Sequence, residues 1–341
     1  MKRVLSTLAI AAAAISLTAQ AASAQGTLNT VKQRGVLQCG SNTGLAGFGL
    51  PDAQGNWTGL DVEYCRAIAA AIFNDPTKVK FIPLTAKDRF TALQSGEIDV
   101  LSRNTTWTSS RDTQLGLNFA AVNYYDGQGF IARKSLKVNS ALELNDAAIC
   151  VQQGTTTELN LADYFRANKM KLKTVTFASS DEAVKAYDAG RCDAFTTDAS
   201  GLYAERLRLV NPNDHIVLPE VISKEPLGPA VRHGDDQWFD IAKWVHYAMV
   251  NAEELGITKA NVDDMKKSTD NPDVKRLLGT EGKHGEALGL TNDWAYQVIK
   301  HVGNYGESFE RTVGQGSPLK IARGLNGLWT KGGLQYAPPV R

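Results

Sequence analysis

The sequence predicts an α/β protein of two lobes, each a mainly parallel sheet flanked by helices. Three observations carry that expectation. The chain has 341 residues, 43% hydrophobic and 21% charged, an ordinary globular composition whose core exceeds what one compact domain usually holds. Two stretches, near residues 36–101 and 149–197, each alternate short strands with helices, which implies parallel sheets with helices on their faces. Loops dense in hydroxyls and amides follow the strands of both stretches, where open parallel sheets bind ligands.

The N-terminus precedes these elements and reads differently. Met1-Lys2-Arg3 is basic, residues 4–17 form an uncharged apolar run, and Ala22-Ser23-Ala24 supplies the small-x-small pattern of a cleavage site. Residues 1–24 are therefore expected to be a cleaved export signal. The run has about 14 residues where a span needs about 20. No Cys stands at the cleavage point for a lipid anchor, and no later segment is long and apolar enough to span. The 37 Lys+Arg and 36 Asp+Glu nearly balance, and basic clusters are lacking. That excludes nucleic acid and anionic membrane as expected partners.

Within the first stretch, residues 36–39 read as a strand and 41–59 as a loop. Asp61 is the expected N-cap of a helix whose Val62, Cys65, Ala69 and Ile72 share a face. Residues 79–82 are a second strand, 89–96 a short helix and 98–101 a third strand. The second stretch starts with a strand at 149–151 and a helix over 158–168. A strand at 175–177, a helix over 181–189 and a strand at 192–197 complete it. Four cysteines, Cys39, Cys65, Cys150 and Cys192, have neither C-x-x-C nor His spacing for a metal. Export permits disulfides. Spacing alone leaves three pairings open, although two cysteines fall in each half.

Strand ends concentrate the polar residues. Ser41-Asn42-Thr43 follows the first strand, and Ser102-Arg103-Asn104-Thr105-Thr106 follows the third. Gln152-Gln153-Gly154-Thr155-Thr156-Thr157 and Thr196-Thr197-Asp198 do so in the second half. Thr155-x-x-Glu158 is a capping box, and the helix start it opens suits a carboxylate. Arg111, after the third strand, offers a planar fork for the same kind of group. No loop pairs a nucleophile with a base, so no catalytic residue is assigned. Gly44-x-x-Gly47-x-Gly49 has the wrong order for a dinucleotide loop, and in the 279–285 segment His284 follows Lys283 where a phosphate loop needs Ser or Thr. No cofactor and no metal are expected.

Four motifs in order carry a resemblance. TGLDVEYCRAIA (58–69), DVLSRNTTWTSSR (99–111), CVQQGTTTE (150–158) and GRCDAFTTD (190–198) resemble the helix start, arginine loop, V-x-x-G-[ST]-T loop and G-[RK]-x-D-A strand of periplasmic polar-amino-acid-binding proteins, family 3 of the solute-binding proteins. LTAKDRFTALQSGEIDVLSRNTTWT (84–108) is similar to their general L-amino-acid-binding subgroup. The resemblance implies a type II periplasmic-binding-protein fold whose lobes are joined by two hinge strands, near 123–131 and 221–228. Lobe 1 would be residues 25–126 plus 227–341, and lobe 2 residues 127–226. It also implies the pairings Cys39–Cys65 and Cys150–Cys192, one bridge in each lobe.

By the same resemblance, Arg111 would grip a ligand α-carboxylate, assisted by the backbone N–H groups of Thr106 and Thr156. Asp198 and Asn104 would take the α-ammonium, and Thr155 and Thr157 would border the site. Hinge closure around the zwitterion completes this picture. Departures from the family pattern set the side-chain pocket. Leu45 and Ala86 stand where relatives carry aromatics, Asn42 where an acid is frequent, and Arg103 where Ser is usual. The implied function is a monomeric periplasmic component of an ABC transporter. It would capture free L-amino acids with broad specificity and deliver them to inner-membrane permease subunits. A narrow glutamate/glutamine binder and a periplasmic dehydratase on the same fold are the alternatives. Beyond Leu290, Trp294, Tyr296, Tyr305 and Trp329 are expected to pack on lobe 1.

Overall fold

A computed structural model describes residues 26–341; the leader expected at 1–24 lies outside the described residues. The chain opens with α1 (Thr27–Arg34), β1 (Leu37–Asn42), a hairpin of β2 (Leu50–Pro51) and β3 (Trp57–Thr58), and α2 (Leu60–Phe73). Next come β4 (Val79–Leu84), α3 (Arg89–Ser95), β5 (Val100–Leu101), α4 (Ser109–Thr113) and β6 (Leu117–Phe119). A first crossing, β7 (Tyr124–Asp126), leads to β8 (Gln128–Arg133), β9 (Ala148–Gln152), α5 (Thr156–Ala167) and β10 (Lys173–Phe177). The second half continues with α6 (Ser180–Asp188), β11 (Ala194–Asp198), α7 (Ala199–Arg206) and β12 (His215–Val217). The chain returns through β13 (Glu225–Leu227) and β14 (Ala230–Arg232) to six further helices.

Two five-stranded sheets result, ordered β4-β1-β5-β14-β6 and β10-β9-β11-β8-β12. In each, a central strand lies parallel to two neighbours, β1 between β4 and β5, and β9 between β10 and β11. Each also takes an antiparallel strand beyond that trio, β14 on β5 and β8 on β11. The first sheet therefore needs the returning chain to be complete. The crossing strands β7 and β13 pair antiparallel, Glu225 opposite Asp126 and Leu227 opposite Tyr124. This is the type II periplasmic-binding-protein fold.

One disulfide staples each sheet's packing. Cys39 on β1 joins Cys65 on α2, and Cys150 on β9 joins Cys192 just before β11, the pairing that the resemblance implies. The first bridge sits in a large core where α2 meets α8 (Asp236–Glu254) through Ile68, Trp238, Ile241 and Val245. The second half has two smaller cores, one around Phe130, Val151 and Phe165 and one around Phe195, Tyr187 and Leu202.

Beyond α8 the chain forms α9 (Val262–Ser268), α10 (Pro272–Leu277), α11 (His284–Leu288), α12 (Trp294–His301) and α13 (Tyr305–Thr312). Trp294 and Tyr305 are buried in the first core as expected, whereas Trp329 is half exposed. The last segment does more than cover that core. Asn326 accepts from the Tyr125 N–H at 2.7 Å and donates to the Tyr125 carbonyl at 3.1 Å, and Gln335 donates to the Val122 carbonyl at 3.1 Å. It thereby ties the first crossing to the C-terminus.

Two local expectations need correction. Gly59, with φ 132°, is the N-cap of α2; Asp61 lies inside the first turn and is buried. A Cβ at position 59 would fall 2.1 Å from the Phe48 carbonyl oxygen, so only glycine lets the hairpin loop lie against this helix start. At α5, Thr155 accepts from the Glu158 N–H at 3.2 Å, but Glu158 accepts from Gly154 N–H at 2.9 Å and not from the cap residue. The box is half formed because Gly154 (φ 74°) turns its N–H toward that carboxylate.

Candidate functional site

Asp61 shapes the loop after β5. Its carboxylate accepts from Ser102 Oγ at 2.9 Å, the Asn104 N–H at 2.7 Å and Asn123 Nδ2 at 3.3 Å. Those bonds hold Asn104 in the left-handed region, φ 31°, where Asn is tolerated. Burial pushes the Asp61 carboxyl up, and three donors to one carboxylate offset that cost. The loop then docks on β13 through Trp107 N–H to Pro226 O (2.8 Å) and Gly228 N–H to Thr105 O (2.9 Å).

Three arginines gather on this side. Thr108 caps α4, and Arg111 folds back so that its Nη1 donates to the Thr106 carbonyl at 2.8 Å, with its guanidinium 5.1 Å from the Phe90 ring centroid. Arg103 donates from Nε to Leu84 O at 2.9 Å, and Arg89 from Nη1 to Thr105 Oγ1 at 3.2 Å. The Arg89 Nε is buried with no hydrogen-bond partner among the described residues. Burial pushes Arg103 and Arg111 down to about 10 and lowers Arg89 well below the usual arginine range. Such a cluster is costly unless anionic groups face it.

The second lobe supplies them, together with hydroxyls. Thr155 and Thr156 stand at the start of α5, with Thr157 buried beside them. Asp198 ends β11 and is buried, yet its carboxylate receives no hydrogen bond among the described residues and caps nothing. Burial raises it far above the ordinary aspartate range, Asp126 and Glu225 raise it further, and Arg89 and Arg111 oppose them. Asp126, at the first crossing, is pushed by burial to about 6.

The two lobes meet here. Thr106 Oγ1 lies 3.2 Å from Thr156 Oγ1, and a Cβ at Gly154 would stand 3.3 Å from Lys87 Cα. Arg89, Arg103, Asn104 and Thr106 face Thr155, Thr156, Thr157, Thr197 and Asp198 across a cavity of about 20 Å³, room for roughly one water. Arg111 lies just behind this lining. Asn42 acts at one remove, donating to Asn104 Oδ1 at 2.9 Å. Ala86 is fully buried against the contact with Gly154. Leu45 does not line the cavity: it packs into the first core and bridges Gly49, because the 41–59 loop folds onto α2.

Arg89, Thr197 and Glu225 went unassigned in the sequence. Arg89 and Thr197 had a signal, since each follows or ends a strand whose carboxyl end faces the cleft. Glu225 had none, because nothing in its spacing links it to residues more than 60 positions away.

Comparison with known proteins agrees with the fold. A model of the bacterial extracellular solute-binding proteins, family 3, matches residues 37–259. The general L-amino acid-binding periplasmic protein AapJ of Rhizobium johnstonii is 67% identical over 343 residues, covering 100% of both chains. The glutamate/glutamine/aspartate/asparagine-binding protein BztA of Rhodobacter capsulatus is 58% identical over 326 residues, covering 96% of each. Among solved structures, a periplasmic binding protein of an ABC transporter from Brucella ovis, with glutathione bound, superposes with a TM-score of 0.91 at 65% identity. The match covers 93% of this chain and 100% of that one.

Proposed function

Because the chain belongs to family 3 of the bacterial extracellular solute-binding proteins, we propose that it is the periplasmic substrate-binding component of an amino-acid ABC transporter. In this reading residues 1–24 direct export and are removed. Lobe 1 comprises residues 25–126 and 227–341, and lobe 2 residues 127–226. The lobes close on the zwitterion of a free L-amino acid and present it to the permease, without chemistry on the ligand.

The observation that carries the reading is the division of charge across the cleft. Arg111 stands on one side and Asp198 on the other, both buried, and neither makes a salt bridge among the described residues. An α-carboxylate on Arg111 and the adjoining N–H groups, with an α-ammonium on Asp198, satisfies both at once. These groups are common to all amino acids, so affinity follows from the zwitterion and specificity is broad. Calorimetry against the twenty L-amino acids tests this. Polar, acidic, amide and some aliphatic ligands are expected within about 1.4–2.8 kcal/mol of one another, roughly 10- to 100-fold. A single ligand preferred more than about a thousandfold overturns breadth.

One observation favours a narrower reading. Arg89 and Arg103 line the cavity itself, in front of Arg111, and a second carboxylate on the ligand would meet them. Glutamate and aspartate carry one on the side chain and glutathione carries one on its glycine, so these belong in the same panel. A strong excess of their affinity over alanine and glutamine supports the acidic reading.

A further inference from the structure

Glu225 is a cleft carboxylate that four side chains hydrogen-bond at once. On the second crossing strand, it is 1% exposed. Its Oε2 accepts from Thr106 Oγ1 at 2.6 Å and from Thr156 Oγ1 at 2.8 Å. Its Oε1 accepts from Asn160 Nδ2 at 2.7 Å and from Ser223 Oγ at 2.6 Å. Thr106 belongs to the loop of the first lobe, bridged to Leu227 of the same strand. Thr156 and Asn160 belong to the first turns of α5 in the second lobe. One anion thus gathers charge-assisted bonds from both lobes and from its own strand, and those are the stronger kind.

We propose that Glu225 is an inter-lobe clasp, a positioning residue that stabilises the closed cleft by bonds in which the ligand takes no part. Opening the cleft carries the start of α5 away from the Thr106 loop, so the carboxylate can no longer keep its bonds to Thr106 and to Thr156 and Asn160 together. The equilibrium between open and closed forms therefore contains a contribution from Glu225 that is the same for every ligand. Apparent affinity scales with the fraction of molecules in the competent form. Losing the clasp then weakens all ligands by one common factor, whereas losing a side-chain contact weakens them selectively. The inference rests on the amino-acid reading of the cleft and explains how such a site keeps affinity without selecting side chains.

The test pairs ligand-free solution scattering with calorimetry on the full mature chain. Glu225→Gln keeps the volume and removes the charge. Thr106→Val with Thr156→Val removes the two crossing hydroxyls while leaving both backbone N–H groups, and serves should the first variant fold poorly. Without ligand, each variant is expected to scatter with a larger radius of gyration than wild type, and saturating glutamate is expected to restore the wild-type value. Dissociation constants for glutamate, glutamine and alanine are expected to rise by a shared factor, about 10-fold for a tenfold loss of the closed form. Ligand-free scattering identical to wild type overturns the clasp, as do losses differing more than tenfold between ligands. A wild-type protein that binds no amino acid overturns the functional reading instead, and the ligand-free scattering still decides the clasp.

Discussion

The two lobes share a sheet order and differ in what they bring to the cleft. The first supplies three buried guanidiniums, Arg89 at the start of α3, Arg103 on the loop after β5 and Arg111 in α4. The second supplies hydroxyls at a helix start and a carboxylate at the end of β11. A parallel sheet directs the carboxyl ends of its strands to one edge, so copying the topology copies the place of a site and leaves its charge free. Two like sheets with opposite charge make a clamp suited to a zwitterion. They also differ in support: the first is wrapped by α8 and five later helices, while the second relies on two small cores.

The sharpest way to break this comparison is to remove one charge from each side. Arg111→Ala is expected to weaken every amino acid by about 2–5 kcal/mol, roughly 30- to 4000-fold, since a buried charge-assisted pair is lost. Asp198→Asn is expected to cost toward the lower end of that range, because the amide still accepts from the ammonium. Calorimetry on both variants decides, and a variant within threefold of wild type removes that residue from the clamp.

Stability sharpens the second contrast. The bridges close loops with sequence separations of 26 and 42, and by loop-closure entropy each contributes about 3.5–4 kcal/mol. Replacing Cys150 and Cys192 by Ser is expected to split the calorimetric unfolding into two transitions, because the smaller cores of the second lobe then melt first. Replacing Cys39 and Cys65 is expected to lower the melting temperature without a split. A single transition in both variants would show the lobes to be one cooperative unit.

The smallest effect concerns pH. His246, buried on α8 beside Gln335, is lowered by burial to about 4. The unfolded chain binds its proton near 6.5 while the folded chain does not, so this residue costs stability as pH falls from about 6.5 to about 4, by up to roughly 1.4 kcal/mol per unit. Asp126 works in the opposite sense, because its folded value lies above the unfolded one. The comparison must therefore be wild type against His246→Gln. Urea midpoints are expected to converge with the variant's near neutrality and to fall relative to it in acid. Parallel pH profiles would refute the assignment.

Much of this was legible in residue order. Alternating strands and helices are local patterns, and the parallel trios β1, β4, β5 and β9, β10, β11 each come from one short stretch of chain. Arg111, Thr155 and Asp198 stand at strand ends or helix starts, positions that spacing reveals. Only the tertiary structure decided the rest. Whether Leu45 faced the cleft or the core depended on how a 19-residue loop folds against α2, and no periodicity governs a loop. Asp61 reads as a cap on the strand-to-helix pattern, but its carboxylate turned inward because three donors from residues about 40 to 60 positions away converge on it. Glu225 found Thr106 and Thr156 only where both crossings and both lobes come together. Local order determines periodicity and caps, whereas the partners of a buried polar group are chosen by long-range packing, which must satisfy every such group it encloses.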